Sequence, residues 1–365
     1  MKKLVLVLIV VVLLSPVGWW VWVSYRDALF ADGYLLEANA AQLKATVVTP
    51  HLEEPIADGR NVLWCSTFQL AWNEACTLIG EDIHLDDEPP MVPILNKKTT
   101  TKDDLDEPSY VALAGWTQEG IVEKIRATVL EKFGEDADPE LLPESLPAFW
   151  LVEYAYLFKD LRFAVPFEPL HRRQLKFRGK PVKAFGLTKT TGRANEMAKQ
   201  IIILAQWETE QEHSYDFIVE LKTKSEGDRL ILAKLPPAQT LAQTVHEVRR
   251  HIDASRPEKA YSGTTLMVPK LNFKIFRQYK ELEGKRLKVK NPRVSRMQIV
   301  RALQTVHFQL NEHGARLKSE GYMEEKSVGS RLVFDEPFLI LLERRGAKTP
   351  YFALWVDNTE LLVPD

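Results

Sequence analysis

The chain places two apolar, strand-like runs on either side of a long polar connection near its C-terminus, across residues 306–358. Val306, Phe308 and Leu310 alternate with His307 and Gln309, the two-residue period of a half-buried strand. Beyond the connection come Phe334, Phe338, Leu339, Ile340, Leu341 and Leu342, then Tyr351, Phe352, Leu354, Trp355 and Val356. The residues between, 311–333, are rich in Glu, Lys, Arg, Ser and Gly. A compact domain seldom keeps so long a connection unless it is functional or disordered. Held at both ends by buried strands, it is a natural bait for a protease or a partner.

Length and composition set the remaining bounds. The 365 residues are 45% hydrophobic and 27% charged, enough for one large domain or two modest ones. A net charge of −2 gives no general pull toward nucleic acid. Charge is uneven locally. Residues 81–107 are acid-rich, with Glu81, Asp82, Asp86, Asp87, Glu88 and Asp104 among them. Residues 270–301 are basic, with Lys285, Arg286, Lys288, Lys290, Arg293, Arg296 and Arg301. Both read first as solvated faces; polyanion or lipid-headgroup binding is a further reading of the basic run. Cys65 and Cys76 fall in one helix-like segment. At about 1.5 Å rise per residue they stand about 16 Å apart, too far for a disulfide. Both read as buried small apolar residues.

The N-terminus bears on location. Lys2 and Lys3 precede an uncharged run that starts at Leu4 and stops at Val23, long enough to cross a bilayer core as a helix. Trp19, Trp20, Trp22 and Tyr25 cluster at its far end, where an aromatic belt belongs. The lysines favour a cytoplasmic N-terminus with the rest outside. A cleaved signal peptide is the alternative, although no clear Ala-x-Ala follows the apolar run. The expectation is a transmembrane anchor over residues 1–27 and a domain outside the cytoplasm over residues 28–365, or a secreted domain if the N-terminus is cleaved.

Within that domain, residues 28–48 have helical content. Residues 61–64 read as a strand, then a helix runs to Ile79 and closes at Gly80. Residues 82–108 are Pro- and acid-rich without periodicity and read as a mobile loop. A strand over 110–115 leads to an amphipathic helix over 120–133, with Ile121, Val122, Ile125 and Val129 on one face. Strands follow at 150–158, 183–187, 200–207, 215–221 and 230–235, then a helix at 241–252 and a strand over 265–276. Residues 294–303 mix both signals. The result is a mixed α+β domain, strand-rich in its second half.

No enzyme motif is found. His246 and His251 resemble a zincin pair, but the second histidine is one position late and leaves the shared helix face. His84 among Asp82, Asp86, Asp87 and Glu88 lacks the spacing of a calcium loop. There is no Gly-x-Ser-x-Gly elbow. Neither a metal nor a cofactor is expected.

The run from Phe334 through Phe338-Leu339-Ile340-Leu341-Leu342 to Pro350-Tyr351-Phe352 and Val356-Asp357-Asn358 resembles the closing strands of serpins. Asn311-Glu312-His313-Gly314 is similar to the Asn-Glu-x-Gly that opens the serpin reactive loop. Tyr156-Leu157-Phe158-Lys159 with Pro166-Phe167-Glu168-Pro169 resembles the segment that leaves the family's central strand. Val268-Pro269-Lys270-Leu271 and Asn61-Val62-Leu63-Trp64-Cys65-Ser66 resemble two further family strands, as does the stretch from Asp228 to Pro236 with the helix after it. The matches fall in family order and cover most of residues 61–358.

The resemblance implies a serpin-like fold: mixed sheets, packed helices and an exposed reactive-type loop over residues 314–333. It also implies a mechanism. A protease cuts the loop and forms an acyl-enzyme, and the freed loop inserts as a new strand that drags the protease with it. The loop's first half must then suit a strand. Ala315, Leu317, Ser319, Gly321 and Met323 alternate with Arg316, Lys318, Glu320, Tyr322 and Glu324, one face small or apolar and the other polar. Burying Leu317 gains about 1.5–3 kcal/mol, and overpacking at so bulky a residue costs about 1–3 kcal/mol. The sheet must also open. Where serpins place a Ser, an Asn and a His at the parting, the matching positions are Cys65, Tyr154 and Gln304, and Arg162 stands in place of a Trp at the point of loop entry. Residues 61–154 form a shorter, helix-reduced version of the family's. Counting back from Phe334 places the scissile position at Lys326, with Ser327 and Val328 after it; a lysine there suits a trypsin-like serine protease. The expected function is a membrane-tethered protease inhibitor or decoy. The alternative is a non-inhibitory scaffold that binds a partner or ligand at the cell surface.

Overall fold

Runs of Val, Ile, Leu and aromatic residues fold as strands through most of the chain, and a few 3.6-period stretches supply the helices. The computed structural model describes residues 34–134, 141–144, 146–170, 174–188, 193–209, 215–261, 263–314 and 330–365. There are two compact units, Met1–Leu35 and Leu36–Asp365. Only Tyr34 and Leu35 of the first are described, so the expected anchor lies outside the described residues. Among the described residues no helix is long and apolar enough to cross a membrane.

In chain order the second unit begins β1 (Leu36–Asn39), β2 (Thr46–Thr49), β3 (Asn61–Cys65), α1 (Thr67–Ile79), α2 (Met91–Leu95), β4 (Tyr110–Trp116), α3 (Ile121–Phe133) and β5 (Leu151–Leu157). It continues β6 (Glu168–Pro169), β7 (Leu175–Phe177), β8 (Lys180–Val182), β9 (Ala184–Leu187), α4 (Ala194–Ala198), β10 (Ile201–Glu208), β11 (Tyr215–Leu221), β12 (Asp228–Lys234) and α5 (Leu241–Ala254). It ends β13 (Glu258–Lys259), β14 (Thr265–Pro269), β15 (Leu271–Gln278), β16 (Leu303–Leu310), β17 (Arg331–Val333), β18 (Phe338–Arg344) and β19 (Phe352–Val356). This is the α+β class read from the sequence.

The largest sheet has the order β13-β10-β11-β12-β18-β19-β3-β2. Its ladders are antiparallel except β2–β3. Every residue of β3 and β19 is buried, because this sheet is covered on both sides. One side packs Trp64, Leu339, Leu341 and Trp355 against Val245 and Val248 of α5. The other sends Leu63, Phe338, Ile340 and Leu354 into the main core. A second sheet runs β17-β14-β9-β6 and a third β1-β15-β16; among the described strands β4 pairs with β5 alone.

α1 forms where Leu70, Trp72, Ala75, Cys76 and Ile79 recur at helical spacing and are all buried. Gly80, at φ 86°, ends it by donating its N–H to the Cys76 carbonyl. The helix packs against β4, β5 and β16.

Four local expectations change. Residues 36–49 form two strands and a 3-10 turn instead of a helix; Asn39 and Gln42 close a capping box that starts the turn, and Leu43, already in extended backbone, ends it after three residues. The strand read over 265–276 is two, because Lys270 carries the chain from the β9–β14 sheet to the β15–β16 sheet. Cys65 ends β3 and only Cys76 lies in the helix; both are free and buried, as read. The acidic stretch 82–108 holds α2, two 3-10 turns and the buried Leu85, Val92, Leu95 and Leu105. Its carboxylates have long-range work that periodicity does not reveal. Asp104 accepts from the amides of Lys348 and Thr349, and the adjoining Glu81 from those of Lys290 and Asn291.

Candidate functional site

β5 and β16 form opposite walls of a groove floored by α1. Among the described strands β5 pairs with β4 alone and β16 with β15 alone, so two sheets end facing each other. A sheet edge presents a row of backbone N–H and C=O groups to whatever lies beside it. The groove has a volume of about 950 Å³. Phe68, Ala71, Trp72, Ala75 and Ile79, one face of α1, make its apolar floor, and Met297, Val300 and Phe149 stand along its rim.

The two faces of β5 have different surroundings. Val152, Tyr154 and Tyr156 pack with Ile121, Ile125 and Val129 of α3. Leu151 packs with the α1 cluster, and Ala155 and Leu157 with the main core. By strand alternation Glu153 shares this inner face. It is exposed, and it lines the groove. Its surface opens into the groove, but the walls around it thin the surrounding water and push its carboxyl up to about 7, with its own backbone amide favouring the charged form.

Two of the three residues expected where the sheet parts do meet. The Gln304 amide donates to the Cys65 carbonyl at 3.1 Å and to Thr67 Oγ1 at 2.9 Å, and its oxygen accepts from the Tyr279 hydroxyl at 2.7 Å. This ties β16 to the junction of β3 and α1. Burial pushes both the Cys65 thiol and the Tyr279 hydroxyl up. Tyr154, the third, points to α3. Its neighbour Glu153 takes the inner place, because a shift of one residue in a strand exchanges its faces. The signal for Glu153 is present in the sequence: a lone carboxylate in the apolar run Leu151-Val152-Glu153-Tyr154-Ala155.

At the end of the groove the chain leaving β16 meets the chain leaving β5. Arg162 and Gly314 form a β-bridge. Phe163 N–H donates to the His313 carbonyl at 3.2 Å and Phe167 N–H to the Glu312 carbonyl at 2.7 Å. Arg162 Nε also donates to Asp160 at 2.8 Å. Two buried ion pairs hold this end. Lys270 Nζ lies 2.6 Å from Glu312 Oε2. Lys159 Nζ lies 2.9 Å from an Asp228 oxygen, and that carboxylate also accepts from Ser225 and Tyr351.

Gly314 has φ +81°, and a Cβ there would stand 2.6 Å from Phe163 N and 2.7 Å from Leu161 O. Both atoms are backbone, so neither yields cheaply. Gly314→Ala is expected to lower the free energy of unfolding by about 1–3 kcal/mol in urea denaturation. The other expected loop residues, Ala315, Leu317, Ser319, Lys326, Ser327 and Val328, lie outside the described residues. β17 pairs in parallel with β14.

No group of His, Cys, Asp and Glu that could hold a metal occurs among the described residues. His251 stacks on Trp207, ring centroids 4.0 Å apart.

No protein-family profile matches this chain, and no curated protein does. Solved structures similar to it include Serpin48, a highly specific serpin in the insect Tenebrio molitor, 14% identical over 81% of this chain and 91% of that one, TM-score 0.42. Native protease nexin-1 with heparin is 13% identical over 82% and 92%, TM-score 0.45. Human thyroxine-binding globulin complexed with thyroxine is 12% identical over 80% and 88%, TM-score 0.42.

Proposed function

We propose that this is a serpin-like protein that offers residues 314–333 to a serine protease and receives an extended segment in the groove between β5 and β16. The observation that carries the reading is the facing of two sheet ends across an apolar floor. An extended polypeptide suits such a place, since its backbone groups recur at the strand repeat and can be shared with both walls. The pinned root at Gly314 supports the reading too, because it starts the bait segment at the end of the groove it would enter. In this reading Lys326 is the bait for a trypsin-like protease, and residues 4–23 tether the domain outside the cytoplasm.

One observation favours the alternative of a non-inhibitory scaffold for a partner or ligand. Gln304 ties β16 to both Cys65 and Thr67, which resists movement of that wall. The two readings part on one assay. Incubation with trypsin-like proteases is expected to give an SDS-stable complex that Lys326→Glu abolishes. Cleavage without a complex, and without a rise in thermal stability, rejects trapping and leaves the scaffold.

A further inference from the structure

We propose that Glu153 selects what occupies the groove: an extended peptide with a lysine or arginine in its inward-facing row, beside Glu153. The inference rests on the groove reading above and adds the chemistry of the occupant.

Glu153 lies on the inner face of a strand at the end of its sheet, over an apolar floor. It has no ion-pair partner among the described residues, and its own backbone amide is the one polar group that steadies its charge. The other titratable groups along the groove are placed or engaged elsewhere. Lys159 is committed to Asp228. Lys274 and His307 form a cross-strand pair on the outward face of β15 and β16, because Phe273, Ile275, Gln304 and Val306 take the inward one. Arg296 and Arg301 are exposed on the segment before β16. From β3 comes the buried Cys65, from β19 and the turn before it the buried Tyr351, and from β5 itself Tyr154 and Tyr156 on the α3 side.

A strand laid into the groove covers Glu153. With an apolar inward row the carboxylate is closed in without a partner, which is costly unless it takes up a proton. With a cation in that row, a charge-assisted hydrogen bond replaces the lost water. The raised carboxyl already present in the open groove points the same way. A purely apolar row is therefore accepted at acid pH and resisted as pH rises past about 7, whereas a cationic row is accepted above it.

The test uses the full chain and blocked synthetic peptides of alternating sequence. The parent has valine at every inward position, and in each variant one of these becomes lysine, walked along the row. Kd is read by fluorescence anisotropy at about pH 5.5 and 8.5, either side of the carboxyl's transition. The expected result is one lysine position that binds about tenfold tighter than the parent at the higher pH. Parent binding should weaken about tenfold between the two pH values, and Glu153→Gln should remove both differences. Peptides that bind wild type with neither preference overturn the role of Glu153, as does a Glu153→Gln protein that keeps both. Absence of binding by every peptide to both proteins rejects the groove as a strand acceptor, and the inference with it.

Discussion

Replacing Lys270 with methionine is expected to lower the free energy of unfolding by about 3–5 kcal/mol. The Lys270 side chain is 5% exposed and that of Glu312 10%, and the charged atoms lie 2.6 Å apart. Taking away the ammonium leaves a carboxylate with little access to water, and His313 Nε2, 3.7 Å from its other oxygen, is a poor substitute. The loss comes from the stranded charge and not from the worth of the pair itself. Lys270→Met combined with Glu312→Leu is therefore expected to recover most of the stability, since well-packed apolar replacements of a buried pair are often neutral. Urea titration of the two single variants and the double variant checks this. A double variant as unstable as the sum of the singles would show that the pair does more than neutralise itself. The site matters because Lys270 is the residue at which the chain changes sheets, and Glu312 lies two positions before Gly314.

Trp355→Ala is the second large effect, about 3–5 kcal/mol by equilibrium unfolding. Trp355 is 0% exposed and lies opposite Leu339 on one neighbour strand and Val62 on the other. It fills the layer between the largest sheet and α5 together with Trp64, Leu341 and Val248. Its indole N–H is buried without an acceptor. Trp355→Phe therefore removes an unsatisfied donor along with some volume, and its cost should be well below that of alanine. Equal losses in the two variants would show that the indole N–H is satisfied in solution.

Much of the fold can be read along the chain, because β10, β11 and β12 are short continuous apolar runs and α3 and α5 carry a local period of 3.6 residues. What could not be read depends on distant partners. Nothing near Asp104 in sequence announces that its carboxylate holds the amides of Lys348 and Thr349. The change of sheet at Lys270 shows in the sequence only as a slip of one residue in the alternation, from Leu266 and Val268 to Leu271, Phe273 and Ile275, and which sheet each half joins is set by distant strands. Cys65, Gln304, Arg162 and Gly314 are singled out by their order along the chain, and the described residues bring Cys65 to Gln304 and Arg162 to Gly314. Glu153 escaped because a motif match tolerates a slip of one residue and a strand face does not. The groove could not be found from sequence at all. It exists because two strand edges remain apart, and pairing between segments about 150 residues distant leaves no local trace.

α1 touches both sheets that end at the groove, β4–β5 on one side and β16 on the other. In an ordinary sheet the gap between neighbouring strands is fixed by the hydrogen-bond ladder at about 4.8 Å and has no intermediate values. Here the gap is set by the girth of one helix and by the packed side chains of Phe68 and Trp72 on the face it turns to the groove. The separation of the two walls is thus a matter of side-chain packing on one helix, and it is not confined to whole-strand steps.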